Sequence, residues 1–136
     1  MDTSTQERHK KHALHNEEVY IFLKQRKDFI DWRITTAFYA ALHFVEYKLF
    51  PLTITFAGKN KTLRSVEDYK EFFSIRSKHL ARVHAVKNHI NTCRAEFKDL
   101  FDFSMNARYR HYKFSNINQI DVKIEYSLKK IKKACI

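Results

Sequence analysis

A single glycine, Gly58, and a single proline, Pro51, punctuate a chain of 136 residues. Tight turns and sheet-rich domains draw heavily on those two residue types. Their scarcity therefore directs this chain toward long helices with few sharp reversals. Hydrophobic residues make up 44% and aromatics 15%, enough for one enclosed core and too much for a disordered basic tail. The reading is one domain over residues 1–136, with "MDTSTQ" (residues 1–6) as a frayed start.

Apolar spacing marks the helices. A first helix is expected over residues 7–26, with Leu14, Val19, Phe22 and Leu23 on one side. The clearest element is "DFIDWRITTAFYAALHFVEYKLFP", in which Ile30, Ile34, Ala37, Phe38, Ala41, Val45 and Leu49 fall at helical spacing up to Pro51. Residues 51–64, "PLTITFAGKNKTLR", lack that rhythm and read as a loop. Ser65 caps a short helix over "VEDYKEFF". One long helix over 76–101 is expected next, with Leu80, Val83, Val86, Ile90, Phe97 and Leu100 inward. After the break at "DFSMNARYRHYKFSN", Ile117, Ile120, Ile124, Leu128 and Ile131 define a last amphipathic helix. The expected fold class is all-α, a bundle of four to five helices.

A formal net charge of +11 suits polyanionic partners, RNA or a nucleotide. More than half of it lies beyond residue 102, where Arg108, Arg110, Lys113, Lys123, Lys129, Lys130, Lys132 and Lys133 face only Asp121 and Glu125. "ARYRHYKF" interleaves arginine with aromatic residues, a mixture that holds phosphates and stacks on bases. The same residues could equally plug the end of a bundle with their tyrosines. Arg76 adds to this phosphate-binding set, whereas the terminal "KKIKK" reads as a solvated face. Cys93 and Cys135 lack metal-like spacing and read as reduced thiols. No apolar run reaches the roughly 18 residues of a membrane span, and no leader is expected. A cytoplasmic protein with no membrane association is the expectation.

Histidine is the other chemistry-bearing type. "SKHLARVHAVKNHI" (77–90) carries His79, Arg82, His84 and His89. On one helix Arg82 and His89 fall within about 20° of each other and roughly 10 Å apart along the axis. His79 joins their side, and His84 is turned away. An arginine for phosphate and a histidine for protons are the minimum set for RNA cleavage without metal. A polar helix face is the bland alternative. Along the preceding helix Trp32, Thr36, Tyr39 and His43, with Glu46 or Tyr47 beyond, form a second stripe that is either packing, site-shaping or a dimer seam. His9, His12 and His15 stand three apart, a spacing that could bind a metal weakly but that reads first as a solvated face. No metal ligands and no cofactor are assigned.

The pieces "DWRITTAFYAALHFVEYKLF", "SKHLARVHAV" and "SMNARY", in that order, resemble the small prokaryotic HEPN-domain proteins across roughly residues 28–112. The resemblance implies a helical bundle of HEPN type, frequently homodimeric. It also implies either metal-independent endoribonuclease activity in defence or toxin–antitoxin systems, or a non-catalytic module. Such a module would bind nucleotide or nucleic acid, or dock onto an antitoxin or larger effector from a neighbouring gene. In that family's pattern Arg82 and His89 have the spacing of the catalytic pair, although Val83 stands where a polar residue is preferred. His79 with Arg82 is the alternative unit, with Arg108 and Tyr109 as companions.

Overall fold

The computed structural model describes residues 3–110 and 114–136; His111, Tyr112 and Lys113 of the arginine–aromatic segment lie outside the described residues. The elements are α1 (Thr3–Leu23), α2 (Ile30–Leu49), β1 (Leu52–Phe56), β2 (Lys59–Leu63), α3 (Val66–Phe72), α4 (Lys78–His89), α5 (Arg94–Met105) and α6 (Ile117–Cys135). The expectation of a helical bundle holds, with two differences. A hairpin replaces the expected loop, and the expected long helix is two helices.

Helix α2 is the axle. All seven residues of its predicted stripe are buried, and so are Ala40, Leu42 and Phe44 between them. Burial on most sides suits its place, because α1, α4, α5 and α6 all pack on it. Its end follows from proline chemistry: Phe50, just before Pro51, takes an extended conformation (φ −110°, ψ 140°).

The hairpin pairs Leu52 with Leu63 and Phe56 with Lys59. Its reversal, Ala57–Gly58, has positive φ at both residues, 52° and 76°, the geometry of a two-residue turn that matches strand twist. Leu63 is fully buried and fixes the hairpin to the core. One glycine is thus sufficient punctuation for a hairpin.

Ser65 and Ser77 cap α3 and α4, each accepting a backbone N–H three residues on, from Asp68 (3.2 Å) and Leu80 (3.1 Å). Helix α4 ends at Ile90, whose backbone leaves the helical region (φ −132°, ψ 56°), and a 3-10 turn over Asn91–Cys93 leads into α5. That break lets Ile90 and Cys93 both point inward. The inward face of α4 is Ala81, Ala85 and Val86, which leaves Leu80 37% exposed. Helix α5 runs on as a π-helical turn over Asn106–Arg110, where a break in rhythm was expected.

Helix α1 begins at Thr3, inside the stretch expected to be frayed, and Gln6 Nε2 donates to Phe50 O at 3.0 Å. Its inward residues are Ala13 and Tyr20, while Phe22, expected inside, is 74% exposed. Ion pairs then tie the helices together: Lys132 to Glu17 (2.8 Å), Lys24 to Glu125 (2.8 Å), and buried Arg33 of α2 to Asp121 of α6. Lys123, Lys129 and Lys130 of α6 likewise pair with Asp99, Glu125 and Glu96. Among the described residues no helix is long and apolar enough to cross a membrane.

Packing of this kind gives a sharp contrast. Phe97→Ala should lower unfolding stability by about 3–5 kcal/mol through an unfilled cavity, whereas Phe22→Ala should stay within about 0.5 kcal/mol. Urea titration followed by circular dichroism reads both, and equal losses would contradict the orientation of α1.

Candidate functional site

Glu46 lies on α2 at 4% exposure. An ionised carboxylate at that depth is stable only with charge and hydrogen-bond partners around it. Its Oε1 accepts from Arg82 Nε of α4 at 2.8 Å. Its Oε2 faces His9 Nδ1 of α1 at 3.2 Å and His43 Nδ1 of α2 at 3.8 Å. The two imidazole nitrogens stand 3.2 Å from each other, and the ring of His12 stacks on His43 with centroids 3.9 Å apart. These ligand-type atoms of His9, His43 and Glu46 all lie within 4.8 Å of one another, and no other such group occurs among the described residues.

Arg82 continues from Glu46 to His79, with Nη1 3.1 Å from His79 Nδ1. A guanidinium only donates, so His79 accepts through Nδ1 and carries its own proton on Nε2. Burial and the charges of Arg82 and Arg108 push the His79 pKa down to about 4. Burial, with the neighbouring His12, His9 and Arg82, takes His43 down to about 3. His9 is also lowered, chiefly by burial, against the opposing pull of Glu46. The three rings are therefore neutral near pH 7.

A second cluster forms where the π-helical turn meets α2. Arg108 Nη1 donates to Tyr39 Oη at 2.7 Å, and Nε donates to Ser104 O at 3.4 Å. The guanidinium carbon sits 5.0 Å from the Tyr109 ring centre and 5.3 Å from that of Tyr39. Its buried Nη2 has no hydrogen-bond partner among the described residues. Beside it opens a pocket of about 330 Å³ lined by Asp31, Trp32, Thr35, Ala107 and Arg108. Trp32 is 59% and Tyr109 67% exposed. A planar cation among rings, next to free aromatic faces, can take a phosphate and stack a base.

The predicted site residues thus divide. His79 and Arg82 meet, and so do Tyr39, Arg108 and Tyr109. His89 does not join Arg82's hydrogen bonds: its ring packs edge-on to Tyr69 at 6.1 Å. His84, expected to face away from it, bonds the same Tyr69 through its hydroxyl at 2.7 Å. Both line a pocket between the hairpin and α4, separate in its lining from the Glu46 cluster. The stripe Trp32–Tyr39–His43 also splits, with Trp32 on the surface, Tyr39 on Arg108 and His43 with the histidines. Arg76 is exposed just ahead of the α4 cap. Arg110 ends the π-helical turn, and its side chain lies outside the described part.

Sequence reasoning missed Glu46 as the hub, together with His9 and His12. The available signal was His43 with Glu46 at i, i+3, a spacing that places both on one helix face. The partner from α1 leaves no trace in local spacing. A basic groove was also missed: Lys87, Arg94 and Lys98 line, with Val83 and Ala95, a pocket of about 440 Å³ between α4 and α5.

Comparison with known proteins returns nothing in each of three searches: no protein-family model, no curated protein and no solved structure matches the chain.

The lowered His79 pKa has a defined consequence for stability. Its folded value lies below the ordinary 6.5, so between about pH 6.5 and 4 the unfolded chain binds the extra proton. Stability should be level above pH 6.5 and fall as pH drops toward 4, with His9 and His43 acting in the same sense. His79→Asn, which keeps an acceptor for Arg82, should make that fall shallower in melting temperatures taken across the range. Superimposable pH profiles for the two proteins would contradict the buried neutral imidazole.

Proposed function

We propose that this chain is an RNA-binding module of HEPN type that holds single-stranded RNA without cutting it. The observation that carries the reading is Arg108, a guanidinium held among Tyr39, Tyr109 and Phe38 with one donor unmet. The pocket beside it offers Trp32 as a stacking face and Asp31 as an acceptor for base or ribose donors. Bases have π-faces on any sequence, so such a site binds with little sequence preference. Lys123, Lys129, Lys130 and Lys132 of α6 already have carboxylate partners, so Arg108 and the groove of Lys87 and Arg94 are better placed than these lysines to meet an RNA backbone.

The same geometry argues for retention over cleavage. Arg82 is 11% exposed at its side chain and paired with buried Glu46, so its charge is already matched. His79 has given its Nδ1 lone pair to Arg82, and a pKa of about 4 makes it a poor proton carrier near neutrality. The resemblance to HEPN proteins accommodates this reading, since the family includes members that bind without cleaving.

The test is fluorescence anisotropy with a short, mixed-sequence, end-labelled single-stranded RNA, followed by gel analysis of the same RNA after incubation in EDTA. Arg108→Ala and Trp32→Ala should each weaken binding about tenfold, within the range for loss of one stacked base. Lys129→Ala should change it less than about twofold, and the label should remain on intact RNA. Unchanged affinity in both site variants would sink the pocket. A 2′,3′-cyclic phosphate product that disappears in Arg82→Ala would replace retention with cleavage.

A further inference from the structure

The contacts among His9, His43 and Glu46 repeat the geometry of a ligand sphere. Zinc bound tetrahedrally at about 2.0–2.1 Å has its ligand atoms about 3.3–3.4 Å apart. Here the three separations are 3.2 Å between the imidazole Nδ1 atoms, 3.2 Å from His9 Nδ1 to Glu46 Oε2, and 3.8 Å from His43 Nδ1 to Glu46 Oε2. All three are ligand-type atoms, and they lie within 4.8 Å of one another. A single proton among them gives at best one shared hydrogen bond, whereas a divalent cation gives each atom a full partner. We infer that His9, His43 and Glu46 form a binding site for a late first-row divalent metal ion, with Zn²⁺ as the natural occupant of two imidazoles and one carboxylate. This inference is independent of the RNA reading, since it uses none of the residues of the Arg108 pocket.

The surroundings suit such an ion. Arg82 holds Oε1 of Glu46 at 2.8 Å and leaves Oε2 toward the histidines, the kind of outer contact that orients a metal-binding carboxylate. The stacked ring of His12 restrains His43 from the side. His9 and His43 side chains are 26% and 15% exposed, so the ligands are near enough to solvent for an ion to enter and for water to complete the sphere. Because one ligand comes from α1 and two from α2, the ion couples those helices.

The full-length protein, freed of metal by chelation, would be titrated calorimetrically with Zn²⁺, and Co²⁺ would be added to a second sample for its visible absorption. One Zn²⁺ per chain is expected, with the intense absorption of tetrahedral Co²⁺ and a melting temperature that rises with Zn²⁺ concentration. His43→Ala and His9→Gln should each weaken the ion at least tenfold and remove the Co²⁺ band. His15→Ala, an exposed histidine of the same helix outside the cluster, should leave both unchanged. His9→Gln carries the comparison even if His43→Ala fails to fold, because His9 lies at the edge of the bundle. No stoichiometric binding, or binding weakened equally by His15→Ala, would overturn the site and leave surface histidines as the only zinc ligands.

Discussion

A carboxylate only 4% exposed cannot stand uncompensated inside a helical bundle, and Glu46 sets what its neighbours must be. Removing one member of a buried ion pair typically costs 3–5 kcal/mol, because the remaining charge is left without solvent or partner. Arg82 answers one oxygen, and the Nδ1 atoms of His9 and His43 face the other. Three helices, α1, α2 and α4, are thereby fixed at one point, and the direction of Arg82 is settled before any ligand arrives.

The cations of the chain sort accordingly. Arg82 and Arg33 act as internal struts, on Glu46 and Asp121. Four of the five α6 lysines, Lys123, Lys129, Lys130 and Lys132, are matched by carboxylates on α1, α5 and α6 itself. Formal charge therefore overstates what is offered to a polyanion, and position decides the matter. Arg108, placed by a π-helical turn among rings and in no ion pair among the described residues, has surroundings that fit an external phosphate. π-helical turns recur where a side chain must be re-aimed at a functional surface.

The helical class could be read from the shortage of glycine and proline, and α2 from its spacing, because a helix buried on most sides satisfies any apolar stripe drawn on it. Caps at Ser65 and Ser77 were legible only in part: Ser65 was marked by the acids behind it, and Ser77 by nothing so local. The faces of α1 and α4 were misread for one reason. Alanine at 13, 81 and 85 lets helices approach closely, and burial then follows the small residues while Phe22 and Leu80 remain outside. The hairpin escaped notice because only β1, LTITF, alternates, whereas β2 reads KNKTL, with Leu63 its one apolar residue. At the site, pairs on one helix could be found, such as His79 with Arg82. Contacts between helices, such as His9 with Glu46 or Arg108 with Tyr39, depend on packing that spacing does not encode.

The most direct measurement of the account is a double-mutant cycle on Glu46 and Arg82, by urea unfolding in chelator so that no metal contributes. Glu46→Gln and Arg82→Met should each lose about 3–5 kcal/mol, and the double variant should lose about 2–3 kcal/mol less than their sum, the coupling of two groups in direct contact. Additivity to within about 0.5 kcal/mol would contradict it, because Arg82 would then be unengaged by Glu46 and free to meet a phosphate itself.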